Sequence, residues 1–369
     1  MNLPLAIRRL TPRRAQFLVA ICAWIFLAAT TAGVRAEDAV FPESAAPARQ
    51  LTILSSTDLE ISEPAIRAFQ RSAPQVRILY RELTTLELHT LVLKGCRTGE
   101  AVGDLIISSA MDLQLQLVND GCALPVASDL LRRLPDYARW RDELFGLTFE
   151  PAAIVYNREL LSAEEAPADR FELLELLRRS DRFKGRIGTY DIEQSGLGYL
   201  YATLDAQQSS TFGRLLEAFA RNDVQLFCCT SEILDRVIDG RLAIGYNVLG
   251  SYALERAARE PKLAIVLPDD YTLVLTRAAF IPKFGRNETD AQSFLEFMME
   301  DEGRAILADE TYLFSPIDGT ERLYKNTGLP PTSRDSLRPV ALSPALLVGL
   351  DRLKKEAMFR QWRAMLSAR

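Results

Sequence analysis

The chain has 369 residues, 48% of them hydrophobic and 25% charged, with a formal net charge of −5. That length exceeds what one hydrophobic core usually fills, so two domains are expected. The acidic balance argues against a nucleic-acid or anionic-membrane binder.

The first element is a targeting segment. Arg8, Arg9, Arg13 and Arg14 precede an apolar run at 17–29, and Val34-Arg35-Ala36 supplies small residues where a signal peptidase reads. The run is short for a bilayer span and is flanked as a secretory signal, so residues 1–36 are expected to be removed after Ala36. That leaves 333 residues; losing five basic residues and no acid takes the charge from −5 to −10. The product is expected to be soluble, monomeric and periplasmic.

Residues 37–50, rich in Ala and Pro, read as a loose leader. A strand at 51–54 ends in Ser55-Ser56-Thr57, followed by a helix with Ala65, Ile66 and Phe69 inward and Pro64 in its first turn. A strand at 76–80, a helix at 83–93, a buried strand at 104–107 and a helix at 111–118 follow, with Ser108-Ser109 between the last two. Alternating strands and helices predict an α/β fold with a parallel sheet. Ligands of such sheets sit outside the carboxyl ends of the strands, where Ser55, Ser56, Thr57, Ser108 and Ser109 fall.

Residues 146–151 read as a crossing into a second domain, which opens with a strand at 153–156 and a helix at 171–177. A strand from Ile187 then leads through a polar loop, Tyr190 to Ser195, into a helix whose apolar residues Leu197, Leu200, Tyr201 and Leu204 share one face. A helix start carries unpaired N–H groups and a positive dipole end, so Ser195 and Gly196 suit an anion or a capped helix. Further strands at 224–229 and 241–246 precede helices at 231–238 and from Gly250-Ser251. Strands at 263–267 and 271–275 suggest a return crossing. A helix at 291–307 is expected to pack back on the first domain, residues 326–344 to form a surface connection, and 346–366 a basic helix covering the first domain.

Catalytic groups are not apparent. The single histidine, His89, lies on an amphipathic helix, and no G-x-S-x-G, H-E-x-x-H or phosphate-loop motif occurs. No catalytic residue, metal site or cofactor is therefore expected. Cys96, Cys122, Cys228 and Cys229 remain in the mature chain and allow three pairings. Cys96–Cys122 is the preferred bridge, since both flank one strand-helix unit; Cys228 and Cys229 are either a vicinal pair or two thiols. Polar loops from both halves, including Ser195, Gly196 and Ser251, would line a cleft with hydroxyls and N–H donors. That chemistry suits a phosphate, phosphonate or carboxylate, with Tyr190, Tyr199, Tyr246 and Tyr252 as walls.

At 51–56, 104–112, 146–157, 185–199 and 239–247 the chain resembles the extracellular solute-binding proteins of ABC importers. The similar branch includes binders of ferric iron and of phosphorylated or phosphonate solutes. The resemblance implies a two-lobed periplasmic binding protein fold, type II-like, with crossing hinge strands. Its lobes would be 37–148 plus 270–369 and 149–269, with a small anionic solute held between them for an ABC permease. Iron binders of this family carry adjacent tyrosines in the second lobe. Here that place holds Tyr246-Asn247, which points away from iron. The segment 342–362 is similar to the tail of phosphoglycerate regulatory binding proteins, which implies a membrane sensor kinase as the alternative partner.

Overall fold

The computed structural model describes residues 38–41, 49–329 and 336–367. The expected signal segment and its cleavage site lie outside them.

The first half is built from β1 (Asp38–Phe41), β2 (Arg49–Ser55), α1 (Leu59–Ser72), β3 (Val76–Glu82), α2 (Thr85–Thr98), β4 (Leu105–Ser108) and α3 (Met111–Asn119), then β5 (Arg139–Trp140) and β6 (Leu144–Gly146). The second half runs through β7 (Glu150–Asn157), α4 (Arg170–Arg179), β8 (Ile187–Tyr190), α5 (Gly196–Gln208), α6 (Phe212–Arg221), β9 (Gln225–Phe227), α7 (Thr230–Ile238), β10 (Ile244–Leu249), α8 (Gly250–Arg259) and β11 (Leu263–Val266). The chain then returns through β12 (Thr272–Leu275) and β13 (Ala278–Phe280) to α9 (Glu288–Met299), α10 (Asp301–Thr311) and α11 (Gly319–Thr327), and ends in β14 (Leu337–Pro339) and α12 (Arg352–Ser367).

Two mixed sheets result, ordered β1-β3-β2-β4-β13-β6-β5 and β14-β12-β7-β10-β8-β9, with β11 also paired to β7. The central pairs β2–β3, β2–β4, β10–β8 and β8–β9 are parallel, as the strand-helix alternation requires. Strands that return from the other half pair antiparallel. Their apolar residues, such as Leu51, Ile53, Ile106, Ile154 and Ile244, are buried on both faces.

Several segments depart from the sequence expectation. The leader contains β1, which pairs antiparallel with β3. Pro64 lies inside α1, beyond its first turn, where its ring removes a helical hydrogen bond. The single helix expected at 291–307 is two, α9 and α10, broken at Glu300; a Cβ on Gly303 would lie 1.9 Å from the Phe297 carbonyl oxygen. The expected surface connection at 326–344 starts at the end of α11 and contains β14.

β12 pairs with β7 at Val274 and Leu275, and β14 pairs with β12, so both strands join the second sheet. The terminal helix packs on α6 with Trp362 buried in the second half's core, and so does not cover the first half. The terminal segment still touches both halves on its way. The Leu342 amide donates to the Tyr137 carbonyl at 2.8 Å, and the Tyr199 hydroxyl donates to the Gly349 carbonyl at 2.5 Å.

Two crossing segments join the halves side by side. The Leu147 amide donates to the Arg277 carbonyl at 2.8 Å, and the Arg277 amide donates to Thr148 Oγ1 at 2.8 Å. Gly146 is required here, because a Cβ would lie 2.5 Å from Thr276 Oγ1. A third connection follows, with the Phe149 amide donating to the Phe314 carbonyl at 2.6 Å. Cys96 and Cys122 are disulfide-bonded, tying α2 to the end of α3, and Cys228 and Cys229 are bonded to each other just before α7.

Candidate functional site

The loops after β2 and β4 come together at the carboxyl ends of their strands. Ser56 Oγ donates to Ser108 Oγ at 3.1 Å and accepts from the Ser109 amide at 3.2 Å. Ser55 Oγ accepts from the Thr57 amide at 3.0 Å, and Ser108 Oγ accepts from the Ala110 amide at 3.3 Å. These hydroxyls satisfy the amides that open the loops, which is why short polar residues recur there. The Tyr80 hydroxyl donates to the Thr57 carbonyl at 2.5 Å and fixes the first loop from below.

The second half presents α5 and α8 to the same seam. Ser195 caps α5, accepting from the Gly198 amide at 3.1 Å. The Gly196 amide, free of that cap, crosses the seam and donates to Thr85 Oγ1 at 2.9 Å. Thr85 is held there because Thr84 and Glu87 close a capping box at the start of α2. Further along, the Tyr252 hydroxyl donates to the Asp58 carboxylate at 2.7 Å and accepts from the Asp58 amide at 3.0 Å. The two halves thus touch at Gly196–Thr85 and at Tyr252–Asp58.

Beside that seam, between the crossing segments, sits a pair absent from the sequence expectation. Arg277 and Glu150 are buried, with Arg277 Nη2 donating to Glu150 Oε2 at 3.2 Å. Nη1 donates to Thr57 Oγ1 at 2.6 Å, and the guanidinium lies 5.3 Å from the Tyr252 ring centre. Glu150 also accepts from Thr148 Oγ1 at 2.7 Å and from the Ser251 hydroxyl. Burial works against the Arg277 charge, but Glu150 and the phenols of Tyr252 and Tyr80 outweigh it and hold the guanidinium above its ordinary value. Thr57 and Ser251, both expected at the solute site, are thus bound into this pair from opposite halves.

The remaining expected residues lie deeper in the second half. Tyr190 shares a 2.5 Å hydrogen bond with Thr230 Oγ1, and its ring stacks on Tyr201 with centres 5.9 Å apart. Tyr246 and Asn247 form a bulge in β10, with Asn247 at φ 57°. The bulge turns both side chains onto Asp205, which accepts from the Tyr246 hydroxyl at 2.8 Å and from Asn247 Nδ2 at 2.7 Å. Tyr271 donates to the same carboxylate at 2.8 Å, and Arg170 Nε donates to the Tyr246 oxygen at 2.8 Å. Burial pushes the Tyr246 phenol well up, with Arg170 pulling against it, so a phenolate is disfavoured there. Tyr246 and Asn247 are thus set in the interior network around Asp205 rather than on the seam.

Among the described residues no cluster of three or more His, Cys, Asp and Glu side chains could hold a metal. None of the described helices is long and apolar enough to cross a membrane.

The arrangement matches known proteins over most of its length. The bacterial extracellular solute-binding protein family matches residues 100–335. The substrate-binding protein of an ABC transporter from Agrobacterium tumefaciens is 35% identical, with a TM-score of 0.83 over 90% of this chain and 99% of that one. The periplasmic binding protein AfuA from Actinobacillus pleuropneumoniae, solved with fructose-6-phosphate bound, is 16% identical, with a TM-score of 0.69 over 87% of this chain and 100% of that one. Iron-bound HitA from Pseudomonas aeruginosa is also 16% identical, with a TM-score of 0.64 over 86% and 99%. At that identity the last two speak for the fold alone. No curated protein matches the chain. Two sheets joined by crossing strands, polar loops meeting at their seam and these matches identify the chain as a member of the bacterial extracellular solute-binding protein family, with the two-lobed fold of ABC-transporter binding proteins.

Proposed function

We propose that this protein holds a small anionic solute, phosphorylated, phosphonate or carboxylate, between its two halves and delivers it to an ABC importer from the periplasm. The reading rests on two features: the Ser56–Ser108–Ser109 hydroxyl cluster of the first half, and the Gly196 end of α5, which reaches the first half at Thr85. Hydroxyls and helix-start amides are donors suited to an oxyanion. Such a solute would replace the Thr85 hydroxyl as the acceptor of the Gly196 amide, and it would favour closure because it touches both halves. No activated nucleophile is part of this reading; the protein binds and releases.

Ferric iron is the competing solute, since one structural relative is described as iron-bound. The phenol oxygens of Tyr246 and Tyr190 are buried and engaged by Asp205, Arg170 and Thr230, which favours the anion instead. A thermal-shift screen separates the two. A phosphorylated or carboxylate solute at about 100 times its dissociation constant should add roughly 2.7 kcal/mol of stability. A shift with ferric citrate at pH 7 and none with iron-free citrate or any other anion would reverse the assignment.

A further inference from the structure

The neutral donors of the seam do not explain how a charged solute would be told from an uncharged one. Hydroxyls and amides bind sugars as readily as phosphates, and those at Ser56, Ser109 and Gly196 already have protein partners. A fixed positive charge makes that distinction, provided it is buried and has donors to spare. Arg277 meets both conditions. Its side chain is 2% exposed. Among the described residues its hydrogen bonds are those of Nη1 to Thr57 and Nη2 to Glu150, fewer than the N–H groups a guanidinium carries. Nε lies 3.0 Å from Glu150 Oε1 without hydrogen-bond alignment and has no other acceptor.

A second buried donor is also without a partner among the described residues. It is the hydroxyl of Tyr201, whose ring stacks on Tyr190. Burial pushes that phenol up. Glu150, by contrast, is well supplied by Thr148, Ser251 and Arg277. The pair is therefore unequal: the carboxylate is satisfied and the guanidinium is not. A buried donor left unpaired is costly, and the common remedy is a partner the protein itself does not provide.

Building on the anionic-solute reading, the geometry points to Arg277 as the residue that recognises the solute's negative charge, with Glu150 as the internal counter-ion holding it in place until the solute arrives. The solute's oxyanion takes the N–H groups that Glu150 and Thr57 leave free. Arg277 is anchored between the crossing segments and reaches Thr57 of the first half and the Tyr252 ring of the second. An anion bound to it is thereby tied to the same residues that join the halves. The predicted specificity is for compact solutes bearing a carboxylate or phosphate, with neutral sugars and polyols excluded.

The test is titration calorimetry on the full mature chain with orthophosphate, 3-phosphoglycerate and citrate as anionic probes and glucose as the uncharged control. It compares the parent protein, Arg277→Lys, and the double variant Glu150→Met with Arg277→Met. The double variant removes both buried charges together, which avoids stranding either one, and its melting curve reports folding. The parent should bind at least one anionic probe and not glucose. Arg277→Lys should weaken that binding at least tenfold, since an ammonium lacks the planar donor fork, and the folded double variant at least a hundredfold. Parent binding that survives within twofold in both variants overturns the Arg277 assignment and leaves the anionic-solute reading standing. A parent protein that binds no anionic probe overturns both.

Discussion

Tyr252 and Asp58 grip each other in both directions across the seam: the phenol donates to the carboxylate at 2.7 Å and accepts from the Asp58 amide at 3.0 Å. One residue opens α8 in the second half and the other precedes α1 in the first. This contact exists only while the halves are together. It should therefore report on closure more directly than on folding.

Tyr252→Phe removes both bonds while keeping the ring over Arg277. A hydrogen bond to a charged group contributes about 1.5–3 kcal/mol, so the closed form should lose at least roughly tenfold in population relative to the open one. Small-angle scattering of solute-free protein should show a larger radius of gyration for the variant. An unchanged radius would mean that this bond does not govern closure.

Gly196 and Gly198 separate seam from fold. A Cβ on Gly196 would lie 2.9 Å from Leu113 Cδ1 and 3.0 Å from Thr85 Oγ1, both in the first half, whereas one on Gly198 would lie 2.3 Å from the Tyr190 Cβ. Gly196→Ala should hold the halves apart and weaken solute binding, with little change in urea unfolding. Gly198→Ala should cost the fold about 1–3 kcal/mol, measured in the same urea titration. Equal effects of the two substitutions would contradict this division.

Glu150→Gln leaves a buried guanidinium without its counter-ion. Breaking a buried pair from one side typically costs about 3–5 kcal/mol, and chemical denaturation should show a loss of that order. The Glu150→Met, Arg277→Met double variant should recover most of it. A single variant as stable as the parent would show that the pair is not a source of stability.

Asp112 makes stability depend on pH. It is buried at the start of α3, its Oδ1 has no partner among the described residues, and burial raises its carboxyl to about 7 against the opposing pull of its own helix-start amides and Lys355. A folded-state value above the unfolded one means the folded protein binds the extra proton. Its contribution is complete below about pH 4 and is lost as pH rises through about 7. Asp112→Asn should therefore raise the melting temperature at pH 8 relative to the parent and change it little at pH 4.5. Parallel pH profiles for the two proteins would contradict the assignment.

Much of this was readable before the structure, and the reason is local. Strand-helix alternation and short polar loops report on their own neighbourhoods, so Ser56, Ser108, Ser109 and Gly196 could be expected at one edge of the sheets. Arg277 and Glu150 could not, because Arg277 lies between two strands, Glu150 is the first residue of a largely apolar one, and they are 127 positions apart. Only the pairing of two crossing segments brings them together. Asp205 was hidden in another way: it reads as the polar end of a helix, while a bulge at Tyr246-Asn247 turns that end into the centre of a buried network. The terminal helix misled because its amphipathic pattern says that one face is covered but not by what; Trp362 shows that α6 covers it.

The central claim is that the seam holds a small anion. Mass spectrometry of the solute released by acid or solvent from protein purified without refolding tests it most directly. About one equivalent of a small molecule bearing a phosphate, phosphonate or carboxylate group is expected, absent from Arg277→Lys prepared alongside. Stoichiometric ferric ion, or a neutral solute retained equally by both proteins, would contradict it.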